Sequence, residues 1–310
     1  MALLRQVVSL SAPEPRLDLL VQRMAAVSRA EVRGLFDWEC VKVDGVVATQ
    51  PGLALHAGQR IEVCWEAGRR YKEKPRDRAQ REFTIAFEDR HLIVVVKRAG
   101  VLSVPTDHGE DNTLVHAVAR HLSKGQRITH KAFLVHRLDR DTSGLVVFGK
   151  TEAVAKALMD QFASRKPERA YIAIVAGQVR EPRGTFQSFL ATDEDLDQFS
   201  TRKDGEGKLA ITHFQVLQRL RGATVVEVRL ETGRRNQIRV HFSEHGHPVL
   251  GDIRYKKDEA RHPGWTERRL ALHARTLGFA HPVTGQMLRL VAEPPPGFAQ
   301  FVRSQALPAA

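Results

Sequence analysis

The chain is expected to be a mixed α/β protein of the α+β kind, a strand-rich sheet flanked by a few helices, with a small separate module at its N-terminal end. Three observations lead there. Continuous or alternating apolar runs recur from residue 83 onward, as in Ile93-Val94-Val95-Val96 and in Val226, Val228 and Leu230 between charged residues. Only two stretches in that part have helical spacing. The first 65 residues carry their own helix–helix–strand pattern and are followed by a run of cations.

Within residues 1–65, Leu17, Leu20, Val21 and Met24 recur at helical intervals after a Pro-containing lead-in. Ser28 stands where an N-cap belongs for a second helix over 29–36, and Glu31 completes a capping box. Val41-Lys42-Val43 alternates as a short strand before the Asp44-Gly45 turn, and residues 58–63 read as a closing strand. Residues 66–82 form a basic linker: Arg69, Arg70, Lys72, Lys74, Arg76, Arg78 and Arg81 surround Pro75, and such an arm suits phosphates.

In residues 83–310, the segment 112–122 places Leu114, Val115, Val118 and Leu122 on one helical face. Thr151 caps a second helix presenting Val154, Leu158 and Phe162, and residues 193–207, polar and glycine-containing, read as an exposed excursion.

The chain has 310 residues, of which 42% are hydrophobic, enough for a sizeable core. Lys and Arg number 48 against 36 acidic residues, a formal charge of +12, which favours a polyanionic partner. Two cysteines, Cys40 and Cys64, support neither a disulfide framework nor a zinc site. The apolar start, residues 1–10, is interrupted by Arg5 and too short for a signal peptide or a membrane span, so a cytoplasmic protein is expected.

The densest chemistry lies in residues 136–144, His-Arg-Leu-Asp-Arg-Asp-Thr-Ser-Gly. Asp139 stands between Arg137 and Arg140, and nearby positive charge favours its ionised form. A carboxylate at a rigid strand–turn boundary can serve as nucleophile or base. Asp139 and Asp141, two apart on a strand, would lie about 7 Å apart on one face, a spacing compatible with a glycosidase pair. Residues 141–144 read more naturally as a turn, with Asp141 bonding the local backbone.

These nine residues resemble the signature of the RluA-type pseudouridine synthases, in which the Asp of H-R-L-D is catalytic. Further strings match in order: residues 88–105 with Lys97-Arg98-Ala99-Gly100, then Arg169-Ala170-Tyr171, then residues 232–239, and finally Gly246-His247-Pro248 with Gly251-Asp252 and Leu272-His273-Ala274 with His281-Pro282, which look structural. The resemblance implies a central, mostly antiparallel sheet flanked by helices, uridine isomerisation in structured RNA, and no cofactor. Asp139 would be catalytic, Tyr171 would pack on the target base, and Arg239 would hold the catalytic carboxylate by two bonds. Arg137 would enter the space that a flipped nucleotide vacates. The family more often has His where this chain has Asn236, and Asn-Lys-Pro where it has Val96-Lys97-Arg98.

The first segment resembles an S4 domain, a small RNA-binding module, through Arg16-Leu17-Asp18, Ser28-Arg29 and residues 41–45. Arg16, Ser28, Arg29 and Lys42 are its candidate RNA contacts. Where that family usually has Gly, this chain has Glu39, for which a different helix exit is expected.

The expected partner is a structured RNA, ribosomal before transfer RNA, bound by a monomer with no membrane association. The rivals are a non-catalytic RNA-binding or ribosome-assembly protein on the same fold, and a hydrolase using Asp139 and Asp141. His241, His245 and His247 lack a metal-site spacing, and no metal is assigned.

Overall fold

A computed structural model describes residues 3–11, 16–48, 51–66, 71, 82–106, 109–125, 129–164, 166–201, 205–267 and 269–307. The chain divides into two compact units, residues 1–77 and 78–310.

Unit 1 holds β1 (Leu3–Ser9), α1 (Leu17–Ala25), α2 (Arg29–Asp37), β2 (Val41–Val43), β3 (Val46–Val47) and β4 (Arg60–Glu66). Its sheet runs β1-β4-β2-β3, all antiparallel. Leu17, Leu20, Val21 and Met24 of α1 pack with Val32, Leu35 and Phe36 of α2 over Ile61, Val63 and Trp65. The capping box is present: Ser28 Oγ accepts from the Glu31 N–H, and the Glu31 carboxylate accepts from the Ser28 N–H at 3.2 Å. β1 was not anticipated; residues 1–10 read only as an apolar start, and pairing with β4 supplies the partner that local spacing cannot reveal.

Two expectations for this unit need correction. Glu39 does not reroute the exit of α2: it adopts the left-handed conformation itself, with φ 58°. A side chain there costs on the order of 1 kcal/mol that Gly would avoid. The unit also continues past residue 65, because Tyr71 is buried in its core and its hydroxyl accepts from the Glu66 N–H at 2.8 Å. The charged positions 69, 70 and 72–81 of the expected linker arm lie outside the described residues.

Unit 2 is built on an eleven-stranded sheet. Its strands are β5 (Phe83–Glu88), β6 (Leu92–Lys97), β7 (Phe133–Leu134), β8 (Ser143–Gly149), β9 (Glu168–Ala176), β10 (Arg183–Thr192), β11 (Gln198–Thr201), β12 (Lys208–Leu220), β13 (Ala223–Leu230), β14 (Leu272–Ala280) and β15 (Met287–Val291). The main path is β11-β10-β12-β13-β9-β14-β8-β6-β5, with β15 on β14 and β7 on β8. Every pairing is antiparallel except β14 with β8. The helices are α3 (Leu114–Leu122), α4 (Glu152–Ala163), α5 (Gln237–Glu244) and α6 (Pro296–Gln305).

The continuous apolar runs follow from a sheet covered on both faces. Ile93 and Val95 of β6 and Val146 and Phe148 of β8 face one cluster, with Leu114, Ala117 and Val118 of α3. Leu92 and Val94, with Leu145 and Val147, face the other, where Val154 and Leu158 of α4 close the layer. Each such fully buried side chain contributes about 1.5–3 kcal/mol. The stretch 193–207 is not wholly an excursion, since residues 198–201 form β11 and pair with β10.

Gly144 is in β8 rather than in a turn. Its φ is +122°, and a Cβ there would lie 2.2 Å from the Ala274 carbonyl oxygen. Only glycine allows β14 to pair with β8 directly after the Asp139 segment.

Candidate active site

A cleft of about 400 Å³ in unit 2 is lined by Arg137, Asp139, Thr142, Tyr171, Arg234, Asn236 and Arg239, among others. Asp139 begins a tight turn, in which the Thr142 N–H donates to the Asp139 carbonyl at 3.2 Å immediately before β8. Residues 97–103 hold this turn from behind. Ser103 Oγ donates to the Leu138 carbonyl at 2.7 Å and accepts from the Leu138 N–H at 3.2 Å. The Arg140 carbonyl accepts from the Gly100 N–H at 2.9 Å and from Lys97 Nζ at 2.8 Å.

Lys97 is fully buried, and its Nζ also donates to the carbonyls of Arg98 and Val101. Burial pushes its pKa down to about 7, against the pull of Asp141 and Asp139. All three carbonyls can be satisfied together only by an ammonium, which has three protons to give.

The turn also separates the two acids. Asp139 lines the cleft, whereas Asp141 lines a second cavity with Lys97 and Arg269. A carboxyl pair acting on one bond would have to share a cavity, so the hydrolase reading loses its geometry. The expected bond from Asp141 to the local backbone is not made among the described residues; the turn closes through the Asp139 carbonyl instead.

Asp139 keeps about a quarter of its side-chain surface, 24%, at the cleft. Burial raises its pKa above the ordinary carboxyl value, while Arg239, Arg137, Lys97 and Arg235 pull it down. The cations were expected to set the direction. Desolvation outweighs them, because the nearest of these cations, Arg239 Nη1, stands 3.9 Å from Oδ2, beyond hydrogen-bond distance.

The largest correction concerns Arg239. Its planar fork does not hold Asp139: Nε and Nη2 reach the two oxygens of Asp252 at 2.7 Å each. Only Nη1 faces Asp139, 3.9 Å from Oδ2. Asp252, read as merely structural, therefore fixes Arg239 and also accepts the N–H groups of Arg254 and Tyr255. Burial lowers the pKa of Arg239, but the bonds and charge of Asp252, with Asp139, leave it raised.

Tyr171, in β9, lies between Val228 of β13 and Ala274 of β14 in register and lines the same cleft. Burial pushes its hydroxyl up to about 12, so it presents a neutral phenol. Arg137 is exposed at the rim. His136 stacks on Phe162 at 4.7 Å, and burial takes its pKa down to about 3, leaving a neutral ring that accepts from the Val147 N–H. The three downstream histidines are engaged structurally: His241 with Ser188 and Thr212, His245 with the His241 carbonyl, and His247 with the Ala176 carbonyl.

Residues 91–244 match the RNA pseudouridylate synthase family. The chain is 34% identical over 289 residues to a ribosomal large subunit pseudouridine synthase D of Zymomonas mobilis, covering 90% of each chain. It is 33% identical to a protein of the same description from Pseudomonas aeruginosa, covering 91% of this chain and 89% of that one. The chain belongs to this family. Among solved structures, the human RNA pseudouridylate synthase domain containing 4 is similar with a TM-score of 0.59 and 25% identity, covering 73% of this chain and 93% of that one.

The synthase is thus an enzyme that isomerises uridine in RNA. Asp139, Tyr171 and Arg137 meet at one cleft with Arg239 above the carboxylate. In unit 1, Arg16 and Arg29 line one groove with Gln22 and Arg33. Arg16 is itself held by Asp18 at 2.7 and 2.9 Å. The other two candidates stand apart from that groove: the Ser28 hydroxyl is occupied by its capping box, and Lys42 is on β2 opposite Glu62. No helix among the described residues is long and apolar enough to cross a membrane.

Proposed function

We propose that the synthase converts uridine to pseudouridine in large-subunit ribosomal RNA, with Asp139 as the group that acts on the flipped nucleoside. The observation that carries this reading is the Asp139 carboxylate in a cleft walled by Tyr171 and faced by Arg239 Nη1 at 3.9 Å. The relatives' descriptions as ribosomal large subunit enzymes support the choice of RNA.

The reaction breaks the ribose C1′–N1 bond, turns the uracil, and joins C1′ to C5, with the C5 proton moving to solvent and a proton returning to N1. It has no net redox change and consumes no water. Burial raises the basicity of Asp139, which favours either attack or proton abstraction. Tyr171, neutral at working pH, offers a ring face for the base and a hydroxyl for hydrogen bonding. Arg137, exposed at the rim, fills the gap left in the RNA stack.

Unit 1 serves in this reading as an S4-like RNA-binding module, supported by the groove containing Arg16, Arg29 and Arg33. The enzyme works as a cytoplasmic monomer. Mapping pseudouridines in ribosomal RNA from cells with and without the gene tests the assignment. Loss of one or more large-subunit positions is expected, and an unchanged ribosomal map with lost transfer RNA positions would redirect the substrate.

A further inference from the structure

Asn236 occupies an unusual position for its residue type. It is the N-cap of α5, where Asn ordinarily accepts a backbone N–H, yet its side chain makes no capping bond. It is buried, and its backbone is left-handed at φ 53°, a conformation that Asn tolerates better than most residues. The amide is directed instead at the active-site arginine: Oδ1 accepts from Arg239 Nη1 at 3.2 Å. On its other side, Nδ2 donates to Tyr255 Oη at 2.9 Å. Arg239 can only donate, so the amide cannot be turned around without facing donor to donor.

Tyr255 is a fixed anchor for that amide. Its hydroxyl also accepts from the Gln198 N–H of β11 at 3.1 Å, and its ring lies under the Arg239 guanidinium at 5.0 Å. Its own N–H is taken by Asp252. Arg239 is therefore defined on three sides: Asp252 takes Nε and Nη2, Tyr255 supports the plane, and Asn236 takes Nη1. Nη1 is also the arm that faces Asp139.

We propose that Asn236 is a positioning residue for isomerisation: its amide, anchored on Tyr255, sets where Arg239 Nη1 stands relative to Asp139. This rests on the assignment of Asp139 to the chemistry. It also accounts for the departure from the family's more usual His. A neutral imidazole has one donor and one acceptor nitrogen on opposite sides of the ring, the same pair of roles as the amide. The position requires a donor and an acceptor, not a proton that titrates.

The test uses the full-length enzyme with an unmodified large-subunit ribosomal RNA transcript, measuring single-turnover rate at saturating RNA and, separately, RNA affinity. Asn236→Ala should slow the rate by about 10–100-fold while affinity stays within about threefold, since positioning losses fall on the chemical step. Asn236→His should recover most of the rate. Asn236→Asp, isosteric but charged, should also be slow, because its charge draws Nη1 away from Asp139, and thermal melts of each variant show that the loss is not a folding failure. Tyr255→Phe should lose part of the rate and add nothing further in the Asn236→Ala background, as expected for one shared path.

Wild-type rates in Asn236→Ala or Asn236→Asp would overturn the proposal, as would losses from Asn236→Ala and Tyr255→Phe that simply multiply. Asp139→Asn is measured beside them. If it is inactive while the Asn236 variants are normal, only the positioning role fails. If it remains active, the assignment of Asp139 fails instead, and the proposal falls with it.

Discussion

Arg239 grips Asp252, not Asp139: both arms of its fork lie 2.7 Å from the Asp252 oxygens, and the remaining arm reaches Asp139 at 3.9 Å. The buried pair is thus a scaffold that presents a third donor to the cleft. Asp252→Asn would leave a buried guanidinium without its counter-charge, a loss of about 3 kcal/mol or more. It should lower both thermal stability and turnover. Arg239→Lys should do the same to a smaller degree, as a single ammonium cannot make the two parallel bonds. Thermal melts beside single-turnover rates check this, and an Asp252→Asn variant with normal stability would contradict the scaffold.

The acid limb of activity reports Asp139. Burial raises its pKa and Arg239 is the first of the cations opposing that rise. If the carboxylate is the working form, activity falls as pH drops through that pKa, at a value above the roughly 3.9 of a free Asp. Arg239→Gln removes the opposing charge, so its acid limb should move to higher pH, and Arg239→Lys should move less. The stability sign is the reverse of a salt-bridged Asp: the favourable contribution is present below the unfolded pKa and lost as pH rises through the folded one. Asp139→Asn should therefore melt no lower than wild type at neutral pH. A pH–rate profile of kcat/KM for wild type, Arg239→Gln and Arg239→Lys, with melts of wild type and Asp139→Asn at two pH values, decides both points.

Lys97 links the two segments that form the back of the site. Lys97→Met leaves the carbonyls of Arg98, Val101 and Arg140 without their shared donor. Each unpaired buried acceptor costs about 1–3 kcal/mol, so a loss on the order of 3 kcal/mol is expected. Denaturant unfolding measures it directly. The Arg140 carbonyl keeps the Gly100 N–H, so the loss falls on Arg98 and Val101, and a variant as stable as wild type would contradict this role of Lys97.

Much of this was legible in sequence because it is local. The capping box at Ser28, the apolar faces of α3 and α4, and the Asp139 signature each depend on residues within a few positions of one another. What escaped depends on distant partners. β1 is defined only by β4, more than fifty residues later, and β11 only by its hairpin with β10. Asp252 looks like any loop aspartate until α5 brings Arg239 against it. The upward pull on the Asp139 pKa escapes for the same reason: neighbouring arginines are visible in a string, whereas burial is not.

Removing residues 1–77 should leave a folded unit 2, because the hydrophobic clusters of its sheet draw on its own residues. RNA binding should weaken and its salt dependence become shallower, since fewer phosphates would be neutralised. Titrations at several salt concentrations test this, and an unchanged slope would exclude unit 1 from the substrate contact.

The central claim is that Asp139 performs the chemistry, and one measurement addresses it most directly: single-turnover pseudouridine formation by purified Asp139→Asn at saturating ribosomal RNA. The amide keeps the size of the side chain and most of the fold but is neither a comparable nucleophile nor a comparable base. A rate lower by about 10⁴-fold or more, with RNA affinity nearly unchanged, is the predicted result. Turnover near the wild-type rate would contradict the account.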